Sequence, residues 1–423
     1  MEWSLFVRYW VVSWQKVWSI GLREMLTLVW FALLLDIPRY NITDLAVLIK
    51  AAVEKRRKRP LVGEPRISII IPAFNEARTI GTTLASLLEA DYTNKEIIVI
   101  DDGSEDETHA VCSWFETRGV KVLRKHVRGG KASCLNMGLA ASTGELIVSL
   151  DADSTLDRDA LRNIASYFRD ADVGAVSGNI KVRNWRRNLL TRLQACEYLL
   201  CISVGRRFLS WANILTIVSG AFGCVRRKVL EDTGAWDPGI GDDYNVTLKA
   251  RKNRKRVIFA RDAIALTDVP ETLTDLFVQR RRWNRSFIGV GLRKHGNLLN
   301  PRRFPFTNLL AFTQSFIFRI ALLVAFIVYA IWIVGWRTNL IGFVVILNML
   351  LYTASNIVSL VIAVALSERW REELILLPLA PILVIYRMYL RIAQTTAYIQ
   401  ELFRLKYREP FYPEKIWNEA PKW

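Results

Sequence analysis

Cysteine is scarce in this chain: five residues in 423, at positions 112, 134, 196, 201 and 224, with no Cys-x-x-Cys pair and no zinc spacing. So small, odd and scattered a set excludes a disulfide framework and predicts reduced thiols in a cytosolic compartment. Acidic residues are also short, 40 against 58 Lys and Arg, which leaves a formal charge of +18. Such a surplus points to an anionic partner. Composition leaves nucleic acid, a phospholipid surface and a phosphorylated small molecule all open. A secretory leader is not expected, because the chain opens on Met1-Glu2 without a clean apolar core and small-residue cleavage site. Apolar residues are what the chain has in quantity. At 52% they exclude a disordered chain, while 23% charged residues exclude a protein made of membrane spans alone. At about 100–200 residues per domain, the length leaves room for two or three units.

The apolar residues are unevenly placed. No charge falls between Thr338 and Ser367, or between Ile320 and Trp336. Runs of this length can cross a bilayer core of about 30 Å. Residues 374–398 form a third apolar segment, but they contain Pro378, Pro381, Arg387 and Arg391, so a broken span, a re-entrant helix and an interfacial helix all remain open. Near the N-terminus Met25–Leu35 is apolar yet bounded by Arg23, Glu24 and Asp36, too short to span without the stretch before it. Of 15 tryptophans, Trp3, Trp10, Trp14, Trp18 and Trp30 lie in the first 30 residues, and Trp332, Trp336, Trp370, Trp417 and Trp423 lie after 330. Indole favours the headgroup boundary, where its apolar body and its N–H are both satisfied. Long buried helices of a soluble protein are the alternative. The basic run Lys55–Arg59 places residues 55–307 in the cytoplasm by the positive-inside bias, although a solvated linker fits the same run.

Between Arg66 and about Gly291, short β-rich runs alternate with amphipathic helices. Strands are expected at 67–72, 96–100, 120–124 and 145–150, with helices running to 90, over 106–118 and from Lys131. This βαβαβ rhythm argues for an α/β fold with a mostly parallel, helix-covered sheet. Ligands of such sheets lie beyond the carboxyl ends of the strands. The polar clusters Asn75-Glu76, Asp102 and Asp151-Ala152-Asp153 fall there. Two carboxylates flanking one small residue can face a common point and suit Mg²⁺ or Mn²⁺ on a diphosphate. An isolated Asp-x-Asp also arises by chance or as a helix cap. Gly129-Gly130-Lys131 offers backbone N–H groups and an ammonium to a nucleotide, or is a plain helix start. Ser219-Gly220-Ala221-Phe222-Gly223 reads as a tight turn that something approaches closely. Gly241-Asp242-Asp243 precedes a helix and could be its cap. Gln279-Arg280-Arg281-Arg282-Trp283 joins a cation cluster to an indole and could be a membrane-surface anchor.

Taken in order, PAFNE, DDGS, GGK, DAD, SGAFG, GDD and QRRRW between membrane-type segments resemble the processive family 2 glycosyltransferases, the hyaluronan, chitin, cellulose and poly-N-acetylglucosamine synthases. The resemblance covers about residues 66–290 by motif. It implies a GT-A-like catalytic domain fused to N- and C-terminal membrane helices. It further implies that Ala73, Asn75, Glu76 and Asp102 line a uridine pocket with Lys131 nearby, that Asp151 lies against the donor, and that Asp153 ligates the metal. Asp243 would be the general base, with Asp242 beside it at the substrate. Gln279, Arg282 and Trp283 match QxxRW: Trp283 would stack on the acceptor sugar and Arg282 would meet the leaving diphosphate. Ser219, Gly220 and Phe222 would shape an acceptor collar.

The implied activity is a processive, inverting polymerisation of a UDP-sugar into a β-linked polysaccharide that is also translocated. The implied partners are the donor, the growing polysaccharide and membrane lipid, with no nucleic acid. UDP leaves well only when its developing charge is neutralised, which a divalent metal and an arginine supply. The rivals are a transferase adding one sugar to a lipid carrier and a hyaluronan-type enzyme using two donors. GDD and the following WNRSF look like hyaluronan synthases, whereas SGA replaces their common SGP and no WGTR-like element appears. The length and C-terminal layout look like poly-N-acetylglucosamine synthases. No cyclic-dinucleotide-binding extension is expected. The expected organisation is a Trp-rich membrane segment at 1–54, a basic linker at 55–65, the cytosolic catalytic domain at 66–291, an interfacial connection at 292–307, a membrane region at 308–403 and a basic tail at 404–423. The whole is expected to be an integral protein of the inner or plasma membrane.

Overall fold

A computed structural model describes residues 20–53, 63–302, 304–314, 318–337 and 340–403. The expectations for Trp3, Trp10, Trp14, Trp18, the basic run 55–59 and the tail 404–423 lie outside these residues. The chain divides into two compact units, residues 1–54 with 317–392, and residues 55–316 with 393–423. Residues 292–316 and 393–403 therefore fall with the larger unit.

The larger unit is built on one eight-stranded sheet: β1 (Ile67–Ala73), β2 (Lys95–Asp101), β3 (Val120–Arg124), β4 (Leu146–Leu150), β5 (Thr155–Leu156), β6 (Val173–Val182), β7 (Phe222–Arg226) and β8 (Arg256–Thr267), in the order 3-2-1-4-7-6-8-5. β1 to β4 pair in parallel, as do β6 and β8. β7 enters antiparallel between β4 and β6, and β5 lies antiparallel to β8. The sheet is thus mixed rather than parallel throughout. Ile67, Ile69, Ile70 and Ile71 of β1 are fully buried, which explains why the strand reads as a continuous apolar run. Burial of each such side chain is worth about 1.5–3 kcal/mol.

Register determines which motifs meet. Ala73 lies opposite Asp101, and Asp101 opposite Arg124, so three strands end together. Leu150 lies opposite Phe222, and Asp151 N donates to Ala221 O at 3.4 Å. The antiparallel insertion of β7 thereby seats the SGAFG turn beside DAD, although the two are about seventy residues apart in the chain.

The smaller unit is helical. Phe318–Trp336, Ile341–Ala365 and Trp370–Leu402, the last of which runs past this unit's boundary at residue 392, are each long and apolar enough to cross a membrane, and Leu22–Leu28 with Phe31–Val53 form a pair bent by 70°. The third segment is a single helical run in which Leu374–Leu379, containing Pro378, tightens to a 3₁₀ helix. Within this unit Tyr329 OH donates to Leu28 O at 2.7 Å, and Phe31 stacks on Tyr329.

Candidate active site

Asp151 and Asp153 leave the carboxyl end of β4. Asp153 Oδ1 accepts from Thr267 Oγ1 at 3.2 Å and Ser154 Oγ at 3.1 Å. Burial, with the nearby charges of Asp151 and Glu76, pushes the Asp153 carboxyl up to about 6. Glu76 is raised too, first by burial and then by Asp151, Asp106 and Asp268. Carboxylates at the ends of β1 and β4 therefore oppose one another's ionisation, and the charge of Asp268 beyond β8 adds to this. Asp268 is itself held by Arg183, which donates from Nε at 2.9 Å and Nη2 at 2.6 Å.

Lys131 Nζ donates to Asp151 Oδ1 and, at 3.2 Å, to Gly220 O. Burial alone would depress this ammonium, but Asp151, Asp242 and Asp243 outweigh it and raise its pKa. A Cβ on Gly220 would lie 3.1 Å from Lys131 Nζ, 3.5 Å from Asp243 Cβ and 3.7 Å from Asp243 Oδ2. Three motifs converge on that glycine, and a side chain there would press on the Lys131 ammonium. Asp243 sits in the first turn of the helix Asp242–Lys252 and its Oδ1 accepts from Tyr244 N at 2.7 Å. Burial first, and Asp242 second, push its carboxyl up to about 6 against the pull of Lys131 and Arg206. The capping alternative does not describe this group: Asp243 is the second helical residue, and the cap is Gly241, at φ 76°. A Cβ on Gly241 would meet Ser286 Cβ at 2.5 Å, which brings the GDD helix tight against the helix Leu273–Ser286.

That second helix carries QRRRW. Trp283 is 39% exposed and available for stacking. The cation over its ring is Arg280, 4.2 Å from the centroid, buried and paired with Glu197 at 2.9 Å. Gln279 Oε1 is buried without a hydrogen-bond partner. Arg282 is partly buried one residue before Trp283.

Several expected positions serve the scaffold. Phe222 is 0% exposed and belongs to the sheet core, because its ring fills the space above Gly178, so it supports the SGAFG turn from beneath rather than lining a collar. Ala73 is buried in the same core and its carbonyl accepts from Asp102 N at 2.8 Å, so its side chain lines no pocket. Asp102 is buried and accepts from Gly129 N at 2.8 Å, Gly130 N at 2.7 Å and Lys125 Nζ at 2.7 Å. Its carboxylate shapes the GGK turn, and it occupies the N–H groups expected to meet a nucleotide. Asn75 stands exposed at φ 56°, its Oδ1 accepting from Glu105 N at 2.9 Å. Over Phe74 of the same turn lies the Arg128 guanidinium, 3.8 Å from the ring centroid. Arg128, Arg183 and Glu197 carry no signal in the sequence, since each acts through a partner distant in the chain.

Among the described residues no group of three or more His, Cys, Asp or Glu side chains is arranged to hold a metal alone. The donor set still suits Mg²⁺ or Mn²⁺: all-oxygen, over-charged, and of the kind completed by substrate phosphates.

The sequence pattern of Glycosyl transferase family 2 matches residues 68–234. A poly-beta-1,6-N-acetyl-D-glucosamine synthase of Staphylococcus epidermidis is 32% identical over 240 residues, 56% of this chain and 58% of that protein. The enzyme of the same name from Staphylococcus aureus (strain COL) is 32% identical over 242 residues, 56% of this chain and 58% of its own. The chain thus spans little more than half the length of these curated relatives. Among solved structures, a mannosyltransferase from Pyrobaculum calidifontis in complex with GDP-Man and Mn2+ aligns with TM-score 0.59 at 22% identity, over 90% of this chain and 100% of its own. That likeness establishes a shared fold.

Proposed function

We propose that the protein, whose residues 68–234 match the pattern of Glycosyl transferase family 2, is such a glycosyltransferase and polymerises N-acetylglucosamine from a UDP-linked donor into a β-linked polysaccharide. The observation that carries the reading is the meeting at Gly220, where Lys131, bound to Asp151, and the raised carboxyl of Asp243 lie on one spot. One ammonium thereby answers to a donor-side and an acceptor-side carboxylate together, Asp151 by direct contact and Asp243 through its charge. Asp153, with Asp151 beside it, would hold the divalent ion, whose role when bound is to neutralise the diphosphate as it leaves.

The remaining steps belong to this chain. Asp243 accepts the proton of the acceptor hydroxyl, and its upward shift makes it a better base than an ordinary carboxylate. The hydroxyl oxygen forms a bond to the anomeric carbon while the carbon–oxygen bond to the diphosphate breaks, its electron pair departing with UDP. Attack from the face opposite the leaving group turns an α-linked donor into a β-linked product. Trp283, with the Arg280 guanidinium over its ring, offers its exposed aromatic surface to the apolar C–H face of the acceptor. Arg282 meets the leaving diphosphate, and Gln279 Oε1 accepts from a sugar hydroxyl. Three apolar helices anchor the enzyme in the membrane, with the catalytic unit cytoplasmic, where the donor is made, and the polymer passes outward.

The test is a donor screen on the full chain in detergent, with each radiolabelled UDP-sugar alone and in pairs, reading polymer mass and composition. Polymer from UDP-N-acetylglucosamine alone supports the reading. A lipid-linked single sugar without polymer sinks processivity, and a requirement for two donors points to a hyaluronan-like product.

A further inference from the structure

The turn Val218–Gly220 is held by two hydroxyls that no motif contains. Val218 N donates to Thr247 Oγ1 at 2.8 Å, and that hydroxyl donates to Asp243 O at 2.7 Å. Ser219 N donates to Ser177 Oγ at 3.2 Å, and Ser177 Oγ also accepts from Arg206 Nη1 at 2.8 Å. Ser177 is fully buried on β6 and donates its own proton to Gly178 O at 3.2 Å, so its hydroxyl has one donation and two acceptances, its full capacity. Arg206 opens the helix Arg206–Trp211, directly after the π-helical turn Leu199–Gly205.

The charged groups facing Asp243 are Asp242 from its own helix, Lys131 from the helix Lys131–Ala140, and Arg206. Lys131 is already bound to Asp151. Arg206 forms no ion pair of its own among the described residues. Burial depresses its pKa, and the strongest charge opposing that is Asp243. The two are charge neighbours rather than a contact pair.

We infer that Arg206 is a positioning residue for acceptor activation: through Ser177 it fixes the Ser219–Gly220 turn against Asp243, and its positive charge faces that carboxylate. The inference rests on Asp243 being the base. It gives a reason for an arginine outside every motif to reach across to β6, where a simple surface charge would point to water.

The experiment uses the full chain in detergent with UDP-N-acetylglucosamine, measuring polymer formation across pH 5–9, with Arg206→Gln, Arg206→Lys and Asp243→Asn. Arg206→Gln is expected to lower kcat about tenfold with donor KM within about twofold, because alignment rather than binding is lost. It should also move the acid limb of the rate profile upward by about one pH unit, since a favourable charge is gone. Arg206→Lys keeps the charge but not the fork, so the limb returns while kcat recovers only in part. A uniform loss at every pH, with the limb unmoved by Arg206→Gln, means a merely structural arginine and overturns the inference. If Arg206→Gln fails to fold, Arg206→Lys decides: wild-type kcat, or a loss of kcat with donor KM changed to the same extent, overturns it, and a severalfold loss of kcat with donor KM within about twofold supports it. Wild-type turnover in Asp243→Asn removes the base beneath the inference. An inactive Asp243→Asn beside an Arg206→Gln that matches wild type removes the inference alone.

Discussion

In the helical unit, Asp36 is 2% exposed and its Oδ2 accepts from Arg391 Nη2 at 2.8 Å and Tyr352 OH at 2.9 Å, while Arg39 lies 3.7 Å from Oδ1. In the larger unit, Asp153 and Asp243 are half-buried near other carboxylates, and each carboxyl is pushed up to about 6. The first arrangement neutralises a charge among apolar helices, where an unpaired one would cost several kcal/mol. The second keeps like charges together at strand and helix ends, a costly arrangement relieved only when a cation or a proton arrives. Pairing marks architecture, and crowding marks chemistry. Asn41, which accepts from Ser355 Oγ at 2.9 Å and Ser359 Oγ at 3.4 Å, extends the paired pattern within the helical unit.

Substitutions can break that comparison. The largest expected effect is on Asp243→Asn, which lowers polymer formation by about 10³-fold or more while UDP affinity stays within about twofold, because only proton acceptance is lost. Its stability should move the other way. A carboxyl raised to about 6 when folded contributes stability that is full below its ordinary value of 3.8 and lost as pH rises through 6. Asp243→Asn therefore raises Tm relative to wild type at pH 7.5 and not at pH 4, read by thermal melts of the full chain. A lower Tm at pH 7.5 would mean that Asp243 is paired as Asp36 is. By the same linkage, wild-type activity should fall as pH drops below about 6, in a direct pH–rate profile.

Next comes Asp36→Ala, which leaves Arg391 and Arg39 without their carboxylate and should destabilise by about 3–5 kcal/mol. The double change Asp36→Leu with Arg391→Met should recover most of that loss, because it removes both charges. Detergent melts of the three proteins measure it. An unaffected Asp36→Ala would place Asp36 with the crowded acids.

A smaller effect is expected of Trp283→Ala, about a tenfold rise in the acceptor concentration required, with donor affinity unchanged, from loss of an aromatic platform. Oligosaccharide acceptor titrations read it. The smallest concerns Glu401, which accepts from Arg285 Nε at 3.1 Å and Arg293 Nη1 at 2.8 Å within the catalytic unit. Glu401→Gln keeps an acceptor but loses the charge and should cost about 1–2 kcal/mol of stability, with kcat nearly unchanged. That outcome would show that pairing, rather than location in the chain, separates the two kinds of carboxylate.

Much of this was legible beforehand because it is local. The runs ISIII and EIIVI are strands by composition, and uncharged stretches long enough to cross a bilayer are helices by length. The motifs also fall at strand ends, as a βαβ rhythm requires. Other features depended on partners far along the chain. In QRRRW three arginines are equivalent as letters, and only the structure shows Arg280 paired with Glu197 and lying over Trp283. Phe222 and Ala73 lie within motifs but face the core, which period-two alternation cannot reveal at a strand end next to a turn. Asp102 resembles a ligand residue until Gly129 and Gly130 are seen to donate to it. Arg206 and Ser177 belong to no motif and were not readable at all.

The sequence by itself determined the chemistry available: acidic pairs, a glycine-flanked lysine, an indole beside cations, and apolar helices, each a property of neighbouring residues. Only the tertiary structure decided which of these confront one another. The antiparallel entry of β7 brings residues 219–223 beside residue 151, and a glycine at 220 lets Lys131 and Asp243 approach the same point. The physical reason is that a charge acts through distance and burial, and both are set by packing between segments that the chain order keeps far apart.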